Sequence, residues 1–247
     1  MVYMYTNLLM RIIGFDCADK SLGVCVVDVN PVLLRRHSEI LVQLREMKTK
    51  NTGAGEFDQI LEDLDEIYSD AIKLIYLNIF DTIPGKKVKN TNTTQRVAGL
   101  KGILYYLDKK FSPDIVLIEF QMRVNAKSNS VCSCLLYHYS STAEFSGSST
   151  CQELSLTDIE PIVFPHELHV VGASVKNTIY FSEEGRYTHF IKKYSTNYAA
   201  NKAHSRFNLH QWLKIHNQLD MLQGIKKANW DDVGDAFMMI MGWLNRV

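Results

Sequence analysis

The stretch DIVLIEF, Asp114 to Phe120, sets the architecture of this chain. From Ile115 to Ile118 every side chain is apolar and most are β-branched, as in a strand at the centre of a sheet. Glu119 interrupts the run. A buried carboxylate is costly unless it is paired or meets a cation, so its place in the strand asks for a partner. Just upstream, Ser112-Pro113 stops a helix whose positions Val97, Leu100, Leu104, Leu107 and Phe111 share one face.

Working outward, RIIGFD (Arg11 to Asp16) and GVCVVDV (Gly23 to Val29) read as two strands of a tight hairpin. KLIYLNIFDTI (Lys73 to Ile83) reads as a third strand and HVVGASV (His169 to Val175) as a fifth. Helical spacing appears at 38–48, at 57–68, and from Thr94 to Phe111. Further helices are expected over Asn125 to Tyr139, Glu183 to Lys193 and Tyr198 to Leu213, with a last one from about Asp232. Pro84 to Asn92 reads as a basic loop and Ser140 to Thr150 as a Ser-rich loop. Strands first as a hairpin, then strand–helix alternation, predict an α/β fold: a mixed sheet flanked by helices on both faces. Sites in such sheets form beyond the ends of central strands.

The chain has 247 residues, 46% apolar and 22% charged, ordinary values for a globular protein, and no internal repeat or domain boundary is visible. No apolar stretch has the length of a membrane span, and the N-terminus lacks the pattern of a signal peptide. Cys17, Cys25, Cys132, Cys134 and Cys151 have no metal-type spacing and read as reduced thiols of a soluble intracellular protein. The 27 basic and 27 acidic residues balance, but they are not mixed evenly. Acid gathers in Glu56 to Asp70; base gathers at Lys86, Lys87 and Lys89, at Lys192 and Lys193, at Lys202 to Arg206, and at Lys226 and Lys227. A neutral protein with a basic face can still bind phosphates, because the local field decides.

A second acid, Asp16, ends the first strand, where turn chemistry is the plainer explanation. NWDDVGDAF (Asn229 to Phe237) then places Asp231, Asp232 and Asp235 at the head of an apolar helix. These aspartates either start the helix, since Asp caps well and acids suit a helix N-terminus, or hold something cationic. Asp232 and Asp235 are three apart and share a helix face, so their charges repel unless a cation lies between them. With Asp16 and Glu119 they make four hard oxygen donors, a set suited to Mg²⁺ or Mn²⁺. Two such ions roughly 4 Å apart can activate water and stabilise the leaving oxygen in phosphodiester cleavage.

Four ordered segments resemble the RuvC-like Holliday junction resolvases of the ribonuclease H-like superfamily: IIGFDCADKSLGVCVVD, FSPDIVLIEFQMRVNAKSNS, YAANKAHSRFNLHQWL and KKANWDDVGDAFMMIM. The first carries its acid seven residues before a glycine (Asp16, Gly23), and the last carries Asp-x-x-Asp-Ala. The resemblance implies a ribonuclease H-like five-stranded mixed sheet in a single domain spanning 1–247, with insertions near 37–70 and 140–166. It implies that Asp16, Glu119, Asp232 and Asp235 are catalytic, metal-binding acids for two Mg²⁺ or Mn²⁺ ions, with Asp231 turned about 100° away from Asp232. It further implies a homodimer that nicks opposed strands of a four-way DNA junction. Ala18, where the family usually has glycine, and the additional Asp19 depart from the pattern. Length and insertions are similar to the poxvirus-type and fungal mitochondrial branches, which points to a large DNA virus and to the host cytoplasm or nucleus.

Candidates for phosphate contact are Lys20, Ser21, Arg123, Asn125, Lys127, Lys202, His204, Arg206, Lys226 and Lys227. Phe120, Met122 and Tyr137 are expected in the apolar core, with wedging into the junction as the other reading of each. Rival functions are an exonuclease or RNA–DNA hybrid nuclease of the same fold, and a non-catalytic nucleic-acid-binding protein, which would be expected to have lost an acid. An actin- or Hsp70-like ATPase needs glycine-rich phosphate loops, whereas only 13 residues are Gly and the loop after Asp16 lacks one.

Overall fold

The computed structural model describes residues 9–18, 20–32, 40, 66–87, 90–120, 126–144 and 167–246, with the side chains of 126, 127, 141–144 and 183 left aside. The expected hairpin is present: β1 (Met10–Cys17) pairs antiparallel with β2 (Ser21–Val29), and Asp16 lies opposite Gly23. β3 (Ile72–Asp81) adds antiparallel to β2. α1 (Thr93–Phe111) opens with a capping box between Asn92 and Gln95 and closes at Ser112, whose left-handed φ of 44° precedes the helix-breaking Pro113. β4 (Ile115–Glu119) then enters beside β1 and parallel to it, α2 (Ala126–Glu144) follows, and β5 (Glu167–Val171) pairs parallel with β4. The sheet order is β3-β2-β1-β4-β5. This is the α/β architecture that the sequence predicts: a mixed five-stranded sheet flanked by helices on both faces.

Strand alternation sorts the core into two layers. Ile13, Phe15, Cys17, Val116 and Ile118 pack with Leu100, Leu104 and Leu107 of α1 and Val131 and Leu135 of α2. Ile12, Cys25, Val27, Ile115 and Leu117 pack on the other face with α4 (Asn197–Ile215) and α5 (Trp230–Leu244). A short helix, α3 (Tyr187–Lys193), contacts α4. Since Phe15 pairs with Ile118, the next residues, Asp16 and Glu119, are neighbours, and both belong to the α5 face. α1 and α2 thus cover one face of the sheet, and α4 and α5 cover the other.

α5 is buried on all sides from Val233 to Gly242, which explains its unbroken apolar sequence. It lies directly on the hairpin because two strand glycines leave room. A Cβ on Gly14 would sit 3.0 Å from the Ala236 carbonyl oxygen, and one on Gly23 would sit 2.5 Å from the Asp232 carbonyl oxygen. The glycine seven residues after Asp16 thus has a physical role: it seats the start of α5 against the first acid. Gly23→Ala should push the backbone at Asp232 away and destabilise the protein by ~1–3 kcal/mol, as overpacking does. A thermal melt checks the cost, and an unchanged melting temperature would show that α5 shifts freely.

Several boundaries differ from the sequence expectation. The fifth strand stops at Val171, and Ala173–Thr178 forms a 3-10 helix after Gly172. α3 begins only at Tyr187, after a 3-10 turn at Glu183–Gly185. α2 continues to Glu144, into the Ser-rich stretch expected to be loop. α5 starts two residues early, at Trp230. The expected helices at 38–48 and 57–68 lie largely outside the described residues, although 66–71 is helical.

Candidate active site

Asp16 is the penultimate residue of β1 and Glu119 is the last of β4, so both open at the C-terminal ends of the two parallel central strands. Asp235 comes to them from the first turns of α5. Only 5%, 6% and 4% of these three residues is exposed. Their neutralising charge is on the chain itself. Lys176, equally buried, places its Nζ 2.9 Å from Glu119 Oε1 and 2.9 Å from Asp235 Oδ2. Lys202 of α4 adds a second ammonium, 2.9 Å from Asp232 Oδ1, 3.3 Å from Asp235 Oδ2, 3.4 Å from Asp231 Oδ2 and 4.0 Å from Asp16 Oδ2. The Ser21 hydroxyl donates to Asp232 Oδ2 at 3.0 Å.

Five carboxylates therefore face two ammonium groups. Burial, the charge of Glu119 and a hydrogen bond to Glu119 all push the Asp16 carboxyl well above its ordinary range. Burial disfavours the charged form of Asp235 too, but Lys176 and Lys202 outweigh it and hold Asp235 below the ordinary range. Burial likewise works against a charged Lys176, and Asp235, Asp16 and Glu119 more than offset it.

The donor set fits a hard divalent cation. All its members are carboxylate oxygens, one of them, Asp235 Oδ1, is buried without a hydrogen bond, and negative charge remains in excess. Among the described residues no three acids stand at metal-holding spacing, and the reason is visible: the ammonium groups of Lys176 and Lys202 lie between them. Entry of a cation would require those two groups to yield.

No protein-family model matches the chain, and no curated protein matches it. Solved structures do. The chain is similar to RuvC of Thermus thermophilus (13% identity, 94% of this chain and 92% of that one, TM-score 0.43). It is similar to the fowlpox virus resolvase in complex with Holliday junction DNA (14% identity, 96% and 98%, TM-score 0.44). It is also similar to the yeast mitochondrial Holliday junction resolvase (13% identity, 96% and 79%, TM-score 0.48). 

The structure redistributes the other candidates. Asp231 is one residue from Asp232 on α5, yet the long Lys202 side chain reaches it too, and Arg206 Nη2 stands 3.8 Å from its other oxygen. Lys202 is not an open phosphate contact, since its ammonium is held by the acids. His204 is not a surface residue: it is 0% exposed and packs edge-on to the rings of Tyr187 and Phe190. Lys20, Lys226 and Lys227 are exposed and Arg206 is half-buried, while Arg123, Asn125 and the side chain of Lys127 lie outside the described residues. Phe120 and Tyr137 are 56% and 77% exposed, so neither belongs to the core: Phe120 follows the end of β4 and Tyr137 points off α2. Met122 lies outside the described residues. Sequence reasoning missed Lys176, whose one signal is a lone lysine after an apolar strand run.

Burial lowers the His204 pKa to about 4, so the folded protein keeps this ring neutral. The unfolded chain binds the proton from about pH 6.5 downward. Its contribution is thus fully present above pH 6.5 and lost as pH falls towards 4. His204→Phe, which keeps the ring packing, should flatten the loss of melting temperature across that window. An equally steep decline in the variant would place the acid sensitivity elsewhere.

Proposed function

We infer that the chain is a metal-dependent, structure-selective endodeoxyribonuclease that resolves four-way DNA junctions by paired nicks in opposed strands. One observation carries this reading: buried acids from β1, β4 and α5 converge at the C-terminal ends of parallel central strands, with carboxylates in excess of ammonium groups. Asp16, Glu119, Asp232 and Asp235 would hold the cations, two Mg²⁺ or Mn²⁺ ions, which supply an activated water and a stabilised leaving oxygen. In the metal-free protein Lys176 fixes the orientation of Glu119 and Asp235 through its two short ion pairs, which a cation would replace. Ser21 does the same for Asp232. Lys202, the more exposed of the two lysines, is placed to turn from the acids to a phosphate of the substrate strand. The approach to the site is basic at Lys20, Lys226, Lys227 and Arg206, which suits a polyanion and recognition by branch geometry.

Coordinated nicks need two sites in one particle, so the protein acts as a homodimer, with α1 or α2 at the interface. α1 presents Val97, Tyr105 and Tyr106 to solvent, and α2 presents Tyr137. Among the described residues no helix is long and apolar enough to cross a membrane. The reading is tested by incubating the protein and Mg²⁺ or Mn²⁺ with a synthetic four-way junction, a linear duplex and an RNA–DNA hybrid of equal length. Nicking of the junction in preference to both others is expected. Preferred cutting of the hybrid, or digestion from duplex ends, would assign the same acids to a different nuclease.

A further inference from the structure

A cleft of about 460 Å³ lies beside the acids, between the β2–β3 edge and the turn that leads into α5. Its size is within the range of sites that hold small organic groups, roughly 300–1,000 Å³. Ser21 joins the two places: its residue lines the cleft and its hydroxyl bonds Asp232. Ile79 and Ile225, both partly buried against the core, supply apolar walls that suit the face of a flat ring. Lys226 at the rim is exposed and makes no ion pair among the described residues, whereas Lys20 across the cleft is 3.3 Å from Asp81.

Asn229 is the informative wall residue. It occupies the N-cap position of α5, where Asn is among the best capping residues, yet its side chain makes no capping hydrogen bond. The amide lines the cleft instead, with its donor and acceptor uncommitted among the described residues. Apolar walls, an amide offering one donor beside one acceptor, and a cation at the rim together match a nucleobase with its phosphate.

We propose that this cleft takes the base of the substrate-strand nucleotide next to the scissile phosphate, and that Asn229 makes cutting selective for that base. The proposal rests on the nuclease reading above. An amide pairs with the adjacent acceptor and donor of adenine, N7 and N6, so adenine is the favoured base. Lys226 contacts the flanking phosphate, and Ser21 links the filled cleft to Asp232.

The test uses four-way junctions with randomised nucleotides around the branch, cut with Mg²⁺ or Mn²⁺, and the ends of the products sequenced. Wild type should enrich adenine about tenfold at one position beside the cut. Asn229→Ala should flatten that preference at an unchanged melting temperature, because Asn229 caps nothing. Asn229→Asp, which only accepts, should move the preference towards cytosine, whose amino group donates. Cutting without a base preference, or a preference that survives in both variants, overturns the proposal and leaves the nuclease reading standing. Inhibition of wild type, but not of Asn229→Ala, by free adenosine monophosphate, with cutting that shows no base preference, overturns it and assigns the cleft to a soluble nucleotide. Failure to cut any junction overturns the nuclease reading itself, and this proposal with it.

Discussion

Asp235→Asn and Asp232→Asn should each lower junction nicking by orders of magnitude while leaving metal-free junction binding at or above the wild-type level. Asn keeps the size and shape of Asp and caps a helix as well, so a role limited to starting α5 would make both changes mild. The structure argues for more. Asp235 is buried, is held in its charged form by Lys176 and Lys202, and meets Lys176 at 2.9 Å and Lys202 at 3.3 Å. Asp232 ties Ser21 of the hairpin to Lys202 of α4. Removing either charge subtracts from the negative potential that would attract a divalent cation, and it also removes a repulsion towards DNA phosphate. Asp231→Asn is the comparison: it keeps both acids and should retain most activity, although Asp231 also reaches Lys202. Gel shifts without metal and nicking with Mg²⁺ or Mn²⁺ separate the two effects. Near-normal nicking by the Asp232 and Asp235 variants would return these residues to a helix start alone.

The second large effect belongs to a residue outside the acids. Lys176→Met should destabilise the metal-free protein by ~3–5 kcal/mol, because it leaves the buried charges of Glu119 and Asp235 without their shared partner. For a protein of this size that corresponds to a fall in melting temperature of roughly 6–20 °C. Mg²⁺ or Mn²⁺ should return part of the loss, since a cation bound between the same carboxylates replaces the missing charge and stabilises only the folded state. Lys202→Met should cost less in stability, because its ammonium is nearer to solvent. Melting curves with and without the metal decide the matter. A Lys176→Met protein that melts like wild type would show that the two ion pairs hold nothing together.

Glu119 was legible because it interrupts an apolar, β-branched run. Asp16, which alone reads as the turn ending a strand, was legible only within the ordered set of motifs, and strand alternation then fixes which face the two share. The parallel pairing of β1 with β4 is what turns two isolated interruptions into neighbours, and the ordered resemblance anticipated it. Lys176 was not legible, because the run up to Val175 read as a continuing strand and the sequence does not show that Ala173–Thr178 turns into a 3-10 helix at the sheet's end. Lys202 and His204 were read as one basic stripe, yet they lie on a helix whose inward side is set by tertiary packing. His204 fills a gap between rings, and Lys202 points into the carboxylates. Asn229 was similarly hidden, since an Asn before Asp-rich helix starts reads as a cap whether or not it caps. The Ser-rich end of α2 was misjudged because propensity favoured a loop where helix continues to Glu144.

The central claim, paired nicking by a site built from Asp16, Glu119, Asp232 and Asp235, is tested most directly on a supercoiled plasmid that extrudes a cruciform. Two coordinated nicks in opposed strands release a linear product, whereas single uncoordinated nicks relax the plasmid to an open circle. With Mg²⁺ or Mn²⁺ the wild-type protein should give linear plasmid with ends mapping symmetrically to the cruciform base, and chelation should abolish the product. Open circles alone, or no cutting at any metal concentration while the protein remains folded, would contradict the account.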